Sequence, residues 1–277
     1  MRIRGFDFTS APTRRKPITC AECRLEGATL RFEGLSAFED LAGFEAALAE
    51  PGPWVAGLDF PFAEPRALLD SLGLTRDWRE QVLYFGNLSM EQFVDLLADW
   101  KAGRPVGQKE PWRACEANTG AASPMKLYGV PVGRMFHRGA IRLLRAGVHL
   151  PGLADGDRSR ICVEAYPGVA ARRALRAAGH RRLTYKAEGA HRLPAEVREA
   201  MRERRRLILS ALAVAGPPFD LAVIAPVEII EDEAGDRLDA LLAAVQAAWA
   251  YRTFGADGPM QADPLEGWIA DPDALPC

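Results

Sequence analysis

The sequence predicts an α/β fold built on a mixed β-sheet, and three observations lead to this prediction. Residues 1–10, 17–25 and 27–32 alternate side chains between two faces and are joined by short turns, which indicates an antiparallel meander. Residues 36–49 then change to helical spacing. Residues 54–60 form an unbroken apolar run, as expected of a central strand parallel to the first. The order β-β-β-α-β is therefore predicted at the N-terminus.

The first strand contains an acid in an unexpected place. Ile3, Gly5 and Asp7 are predicted to share one face, and Phe6 and Phe8 the other. A charged carboxylate within an apolar strand costs several kcal/mol unless it is paired. Asp7 is therefore expected to have a function that offsets this cost.

The fourth strand repeats this arrangement. Asp59 lies between Leu58 and Phe60, and both strands contain the pattern Gly-(Phe/Leu)-Asp-Phe. Two apolar strands that each deliver one acid at the same relative place predict two carboxylates brought together on one sheet.

The next hundred residues are predicted to be mostly helical. Pro51-Gly52-Pro53 ends the first helix before strand four, and later helices are expected over 65–72, 89–102 and 135–146. Residues 104–134 are loop-like. We expect one domain over residues 1–277, in which residues 61–156 form a helical insertion or cap.

The C-terminal part returns to alternating strand and helix. Residues 160–166 predict a fifth strand that ends at Pro167, and helices follow over 168–178 and 194–215. Residues 224–230 fit either a short strand or a loop. The strongest helical pattern in the chain spans 236–251.

The composition and net charge exclude some classes of protein. The net charge is −2 and 48% of the residues are hydrophobic, so the chain is no polycation and has ample material for a core. No run of about 18 apolar residues occurs, so no membrane partner is expected. The N-terminus enters a strand almost at once and the cysteines number five, which favours a cytoplasmic protein without a signal peptide. Cys20 and Cys23 are predicted to be small apolar strand residues rather than zinc ligands.

Two further acids begin the last predicted helix. Asp236 and Asp239 are three residues apart and therefore share one helix face. Taken alone, they are accounted for by the favourable position of acids near a helix N-terminus. Together with Asp7 and Asp59 they predict an oxygen-rich site for Mg²⁺ or Mn²⁺, of the kind that hydrolyses phosphodiesters.

Several short motifs resemble one family along nearly the whole chain. The sequence resembles domain-of-unknown-function family 429, whose members are predicted nucleases of the ribonuclease H-like superfamily. The motifs are GFDFTSAP (5–12), GLDFPF (57–62), GAASPMKLYGVPVGRMF (120–136), VEAYP (163–167), LTYK (183–186), DRLDALLAA (236–244) and EGWI (266–269).

This resemblance implies a ribonuclease H-like mixed five-stranded sheet with helices on both faces. It places the acids on the first strand, at the end of the fourth strand and on the final helix, which are the positions of Asp7, Asp59 and Asp239. These three would bind the metal, and Asp236 would be the extra helix acid of the Holliday-junction resolvase branch. One departure is that many superfamily nucleases have Glu where this chain has Asp59.

The substrate side is less defined. Glu164, within the fifth strand, is either a further site residue or the partner of Lys186 or Arg160. Residues 172–206 contain twelve Lys and Arg against four Glu, which favours nucleic acid as a partner, although a solvated basic face explains the stretch equally well. The oligomeric state is left open, with a homodimer as one option. The candidate substrate-binding residues are Ser10, Arg14, Lys126, Arg134 and Lys186.

Two other functions remain open. An ATP-dependent phosphotransferase of the actin-like branch also ends its first strand in Asp, but it needs a glycine-rich phosphate loop, and Asp7 is followed by FTSAPTRR. A non-catalytic binding module with the same fold is the second. The several separate acids favour the metal-dependent nuclease.

Overall fold

The computed structural model describes residues 1–117, 119–180 and 184–274, which form a mixed sheet of seven strands flanked by helices. The strands are β1 (Arg2–Asp7), β2 (Ile18–Glu26), β3 (Thr29–Phe38), β4 (Trp54–Leu58), β5 (Val148–His149), β6 (Asp157–Glu164) and β7 (Ala222–Ile224). Their order across the sheet is β5-β6-β4-β1-β2-β3-β7. The α/β class with a mixed sheet is confirmed, whereas the expected count of five strands is wrong.

Strand directions agree with the predicted meander. β2 is antiparallel to β1 and to β3, while β4 is parallel to β1 and β6 is parallel to β4. Two further strands, β5 and β7, lie at the two edges and are two and three residues long. Residues 224–230, which fitted either a short strand or a loop, contain only the last residue of β7, followed by a 3₁₀ turn. Segments this short contain no measurable period, which is why the sequence pattern did not reveal β5 and did not locate β7.

Nine α-helices are assigned within the described ranges, and two short 3₁₀ turns lie at Ala190–Arg192 and Val227–Glu231. The helices are α1 (Leu41–Ala49), α2 (Arg66–Leu72), α3 (Trp78–Gly86), α4 (Met90–Ala102), α5 (Ala114–Ala117), α6 (Val132–Ala146), α7 (Pro167–Ala177), α8 (Ala195–Leu212) and α9 (Asp236–Phe254).

Most helix predictions are confirmed to within a few residues, with three exceptions. The first helix was expected from residue 36, but β3 continues to Phe38 and α1 begins after Asp40, whose carboxylate caps it by accepting from the Gly43 N–H at 2.8 Å. Helices α3 and α5 were not predicted, and α5 lies in the stretch that was expected to be loop-like. Ser89 caps α4 by accepting from the Gln92 N–H.

The helices cover both faces of the sheet and enclose two cores. One core contains Phe6 with aromatic residues of α1, α3, α4 and α6; the other contains Ile3 with the buried faces of α7, α8 and α9. The predicted division of β1 into two faces is therefore confirmed. Cys20 and Cys23 are buried free thiols that belong to opposite cores, so they do not form a joint metal site.

Helix α9 is the element that positions the candidate site. Thirteen consecutive residues, 238–250, are buried where α9 packs across β1, β2 and β4. Alanine supplies many of them, which allows the helix and the sheet to approach closely. In the described part of the chain, no helix has both the length and the apolar character needed to cross a bilayer.

Candidate functional site

Three of the predicted acids converge at one edge of the sheet. Asp7 ends β1, Asp59 directly follows β4, and Asp239 lies in the first turn of α9. One carboxylate oxygen from each lies within 4.8 Å of the others. We call Asp7, Asp59 and Asp239 the three-acid site.

Strand register explains why the two strand acids meet. β1 and β4 are parallel neighbours, and Phe6 is paired with Leu58, so the following residues emerge side by side. Side chains alternate between the faces of a strand. Asp7 therefore shares the face of Ile3 and Gly5, and Asp59 shares the face of Val55 and Gly57, which is the face covered by α9.

Two glycines bring the helix acid within reach. A Cβ on Gly5 would lie 2.0 Å from the Ala240 carbonyl oxygen, and a Cβ on Gly57 would lie 2.1 Å from the Ala243 carbonyl oxygen. No side chain fits in either space. The glycine two residues before each acid therefore lets the backbone of α9 contact the sheet, which carries Asp239 to the strand acids.

The three acids differ in their hydrogen bonds. Asp239 is 1% exposed, and its Oδ1 accepts a hydrogen bond from the Tyr185 hydroxyl at 2.6 Å, while its Oδ2 contacts the Lys186 ammonium. The half-buried carboxylates of Asp7 and Asp59 accept no hydrogen bond from any residue that the structure describes. Their oxygens are therefore available to an added ligand.

Crowding of the acids alters their titration. Burial, followed by the Asp239 carboxylate, raises the pKa of Asp59 to about 7. Burial also raises the pKa of Asp7 well above its ordinary value; Lys186 opposes this shift, and Asp239 adds to it. Burial alone would lower the pKa of Lys186, but the surrounding carboxylates, Asp239 first, outweigh it and raise that pKa.

The fourth predicted acid lies at the rim. Asp236 is half-buried at the first residue of α9, and its pKa is raised by burial and then by Asp232. The turn between β1 and β2 lies nearby, because Lys16 pairs with Glu188 at 2.7 Å, two residues beyond Lys186. A basic turn therefore flanks the acids.

Glu164 lines the same cavity as Asp59, and its charge is a minor contribution to the raised pKa of Asp59. It follows Cys162 in alternation along β6 and so faces the core opposite to α9. Its carboxylate accepts hydrogen bonds from Arg113 and, at 2.8 Å, from the Phe62 N–H. Neither Lys186 nor Arg160 is its partner. Glu164 belongs instead to a buried cluster with Arg113 and Glu116, which we call the arginine network.

The remaining candidate residues make no hydrogen bond or ion pair with the three acids in the parts of the chain that are described. Arg14 is exposed in the turn after β1, and Ser10 is half-buried just before it. Arg134 is exposed on α6, and the Lys126 ammonium lies 5.2 Å from the centre of the Tyr128 ring. Of the predicted substrate-binding residues, Lys186 is the one whose side chain contacts one of the three acids in the described part of the chain.

The outer arginines of the basic stretch are neutralised locally. On α8, Arg202 pairs with Glu231 at 2.5 Å and Arg206 pairs with Glu203 at 2.7 Å. These pairs favour the solvated-face interpretation of the helix. Arg181 and Arg182 of the same stretch, and Leu183 of the LTYK motif, lie outside the described residues.

Two other arginines of α8 hold the segment beside Asp239. Arg205 is 2% exposed and donates to the backbone carbonyls of Tyr185 at 2.9 Å and Ile230 at 2.7 Å. Arg204 donates to the Thr184 carbonyl at 2.7 Å. These bonds fix the backbone that presents Tyr185 and Lys186 to the three-acid site.

Sequence reasoning missed the roles of Tyr185, Arg205 and Arg113. A signal existed for Tyr185, which directly precedes a candidate lysine. For the two glycines, the repeated Gly-x-Asp spacing was noticed but not its consequence for helix packing. No local signal distinguished the buried Arg205 from the exposed Arg206 beside it.

The donor set fits a hard divalent cation. Carboxylate oxygens are the ligands that Mg²⁺ and Mn²⁺ prefer, and the group contains neither His nor Cys. Such an ion would also relieve the repulsion between carboxylates, which adds to burial in raising the pKa values of the strand acids. The site is therefore chemically suited to bind Mg²⁺ or Mn²⁺.

No family model, curated protein or solved structure matches the chain. The resemblance to family 429 therefore stays a prediction, and function is inferred from the site itself.

Proposed function

We propose that the protein is a metal-dependent nuclease that hydrolyses phosphodiester bonds of nucleic acid at the three-acid site. The observation that carries this proposal is the convergence of Asp7, Asp59 and Asp239 with two carboxylates left without protein donors. Mg²⁺ or Mn²⁺ bound there would supply Lewis-acid activation of water and stabilise the leaving oxygen. A reducing compartment, such as the cytoplasm, is supported by the four buried free thiols among the described residues.

The architecture supports a ribonuclease H-like fold for this enzyme. Five neighbouring strands follow the order β3-β2-β1-β4-β6 with β2 reversed, which agrees with a meander extended by parallel strands. Helices cover both faces, and the acids lie on the first strand, after the fourth, and on the last helix. These are the positions that the family resemblance implies.

Residues around the acids supply the remaining parts of the proposed site. Asp59 and Asp7 would hold the cation from the sheet, and Asp239 from the helix. Arg14 and Arg134 are exposed and form no ion pair within the described ranges, so they are candidates for phosphate contacts.

A substrate panel with matched variants tests the proposal. Single-stranded and duplex DNA, RNA, an RNA–DNA hybrid and a four-way junction are incubated with Mg²⁺, Mn²⁺ or EDTA. We expect Asp7→Asn to lower metal-dependent cleavage at least about 100-fold, because a ligand of the cation is lost. The control Asp95→Asn changes an exposed acid on α4 and should cleave like the parent.

Other outcomes separate the remaining functions. Cation-dependent thermal stabilisation without cleavage would indicate a binding module, since a ligand of the folded state raises apparent stability. Metal-dependent ATP hydrolysis would indicate the phosphotransferase. If Asp7→Asn cleaves as well as the parent, the assigned site is wrong.

A further inference from the structure

The Lys186 ammonium pairs with the helix acid of the three-acid site. It contacts Asp239 Oδ2, and its favourable interactions extend to Asp7 and Asp59. Across the residues that the structure describes, no other lysine or arginine forms an ion pair with any of the three acids. Lys186 is therefore the internal counter-ion of the three-acid site.

A divalent cation and this ammonium cannot both hold their best positions. Both are attracted to the same carboxylate oxygens, and two cations only a few ångströms apart repel each other strongly in a partly buried site. The Tyr185 hydroxyl poses no such conflict, because it is neutral and engages the other oxygen of Asp239. Competition for Asp239 therefore falls on Lys186 alone.

The surroundings of Lys186 allow its side chain to move while its backbone stays fixed. Arg205 holds the neighbouring Tyr185 carbonyl, and the Tyr185 ring is buried. By contrast, the Lys186 side chain is 38% exposed, so part of it already lies in solvent. Its stem lies against Gly235, where an added Cβ would approach Lys186 Cβ to 2.8 Å.

We infer that Lys186 is a built-in competitor of the metal: it neutralises the acids while the site is empty, and uptake of a divalent cation displaces its ammonium from Asp239. This inference rests on the proposed function for the identity of the cation. It assigns Lys186 a role in metal uptake, which differs from the predicted role of binding substrate in the resting protein.

Metal titration of two Lys186 variants tests the inference. Lys186→Gln removes the charge but keeps donors for Asp239, whereas Lys186→Arg keeps the charge. We expect Mn²⁺, measured by calorimetry, to bind Lys186→Gln about tenfold tighter than the parent because the competing charge is gone. Lys186→Arg should bind like the parent, and so should Lys109→Met, which changes an exposed lysine. Equal or weaker binding by Lys186→Gln would overturn the inference.

A second measurement uses the unaltered protein and so does not depend on the folding of any variant. An amine-acetylating reagent is applied with and without saturating Mn²⁺, and each lysine is followed by mass spectrometry. We expect acetylation of Lys186 to rise several-fold with Mn²⁺ because its ammonium leaves the ion pair, while acetylation of Lys109 stays constant. Unchanged labelling of Lys186 in the Mn²⁺-bound protein contradicts displacement.

Failure of the inference is distinguishable from failure of the proposed function. If no substrate is cleaved but Lys186→Gln still binds Mn²⁺ more tightly, the nuclease proposal fails and the competitor role stands. If the parent cleaves and Lys186→Gln gains no affinity, the nuclease stands and the competitor role fails. If neither protein binds Mn²⁺, both are wrong.

Discussion

Two groups of acids lie at the end of the sheet where the parallel strands β1, β4 and β6 terminate. In the arginine network, both oxygens of Glu116 and of Glu164 accept hydrogen bonds from Arg113 or from backbone N–H groups. In the three-acid site, Asp239 alone has protein donors among the described residues. The first group is satisfied from within the chain, whereas two carboxylates of the second have no donor among the described residues.

This difference distinguishes the structural cluster from the proposed ligand site. Buried carboxylates that a guanidinium and the backbone saturate have no capacity left for an added ion. Three convergent carboxylates opposed by one half-exposed ammonium keep an excess of negative charge that an external cation relieves. Counting donors for each carboxylate is therefore more informative here than the presence of acids alone.

The largest expected effect comes from breaking the arginine network. Arg113→Met removes the partner of two buried carboxylates and is expected to lower the free energy of unfolding by about 3–5 kcal/mol. Urea denaturation measures it, and Arg134→Met, an exposed change on α6, is the control. Mn²⁺ affinity of the folded fraction should stay near the parent value. A stability loss no larger than that of the control would mean that the network is not structural.

A single added methyl group is expected to disrupt the three-acid site. Gly5→Ala places a Cβ 2.0 Å from the Ala240 carbonyl oxygen and 2.3 Å from the Ala244 nitrogen, so α9 has to move away from β1 and take Asp239 with it. We expect a loss of about 1–3 kcal/mol from overpacking. Because Mg²⁺-type sites demand near-ideal geometry, metal affinity should fall at least about tenfold.

Gly34→Ala is the matched control for this change. Gly34 lies on β3, and a Cβ there meets no atom within 4 Å. It should leave both stability and Mn²⁺ binding as in the parent. If the two alanine variants behave alike, close approach of α9 does not position the site.

Part of the geometry of these two groups of acids could be predicted from the sequence. Strand period and the repeated Gly-x-Asp spacing were enough to predict that Asp7 and Asp59 share a face, since alternation fixes side-chain direction within a strand. The same rule, applied to residues 160–166, places Glu164 with Cys162 and away from Val163. What it lacks is the identity of the segments packed above each face, so it did not predict Arg113 as the partner of Glu164.

The contacts that the sequence did not predict join residues that are far apart along the chain. Arg113 contacts Glu164 from 51 residues away, and Tyr185 contacts Asp239 from 54 residues away. No local period encodes such pairs. Likewise, Arg205 and Arg206 are adjacent and chemically identical, yet one is buried and the other exposed. The rotation of α8 about its axis, relative to the elements it packs against, decides which of the two arginines is buried. A short-range sequence pattern does not encode that rotation.

The pH dependence of stability tests whether the carboxylates of the three-acid site lack the compensating partners that the arginine network has. Because the folded state raises the pKa of Asp59 to about 7, it binds more protons than the unfolded chain above about pH 4. The metal-free parent should therefore lose stability as pH rises between about 4 and 7, and Asp59→Asn should lack this contribution.

The measurement is the difference in unfolding free energy between Asp59→Asn and the parent in EDTA. It should grow in favour of the variant from about pH 4, reach about 1–3 kcal/mol after allowance for solvent screening, and stay constant above about pH 7. Saturating Mn²⁺ should reverse the order, because it stabilises only the protein that keeps Asp59. A difference that does not vary with pH contradicts a raised pKa of Asp59 in the folded state.

The smallest expected effect concerns the outer surface of α8. If that face bound phosphates, Arg206→Ala would lower the log–log salt slope of nucleic-acid binding by about 1. Since Arg206 already pairs with Glu203 on its own helix, we expect no change in slope. Arg14→Ala should lower the slope by about 1, because Arg14 is exposed at the end of the sheet where Asp7 lies and has no acidic partner within the described ranges. The comparison is made by fluorescence anisotropy in Ca²⁺ at several salt concentrations. The reverse result would move the nucleic-acid surface from the turn beside the three-acid site to α8.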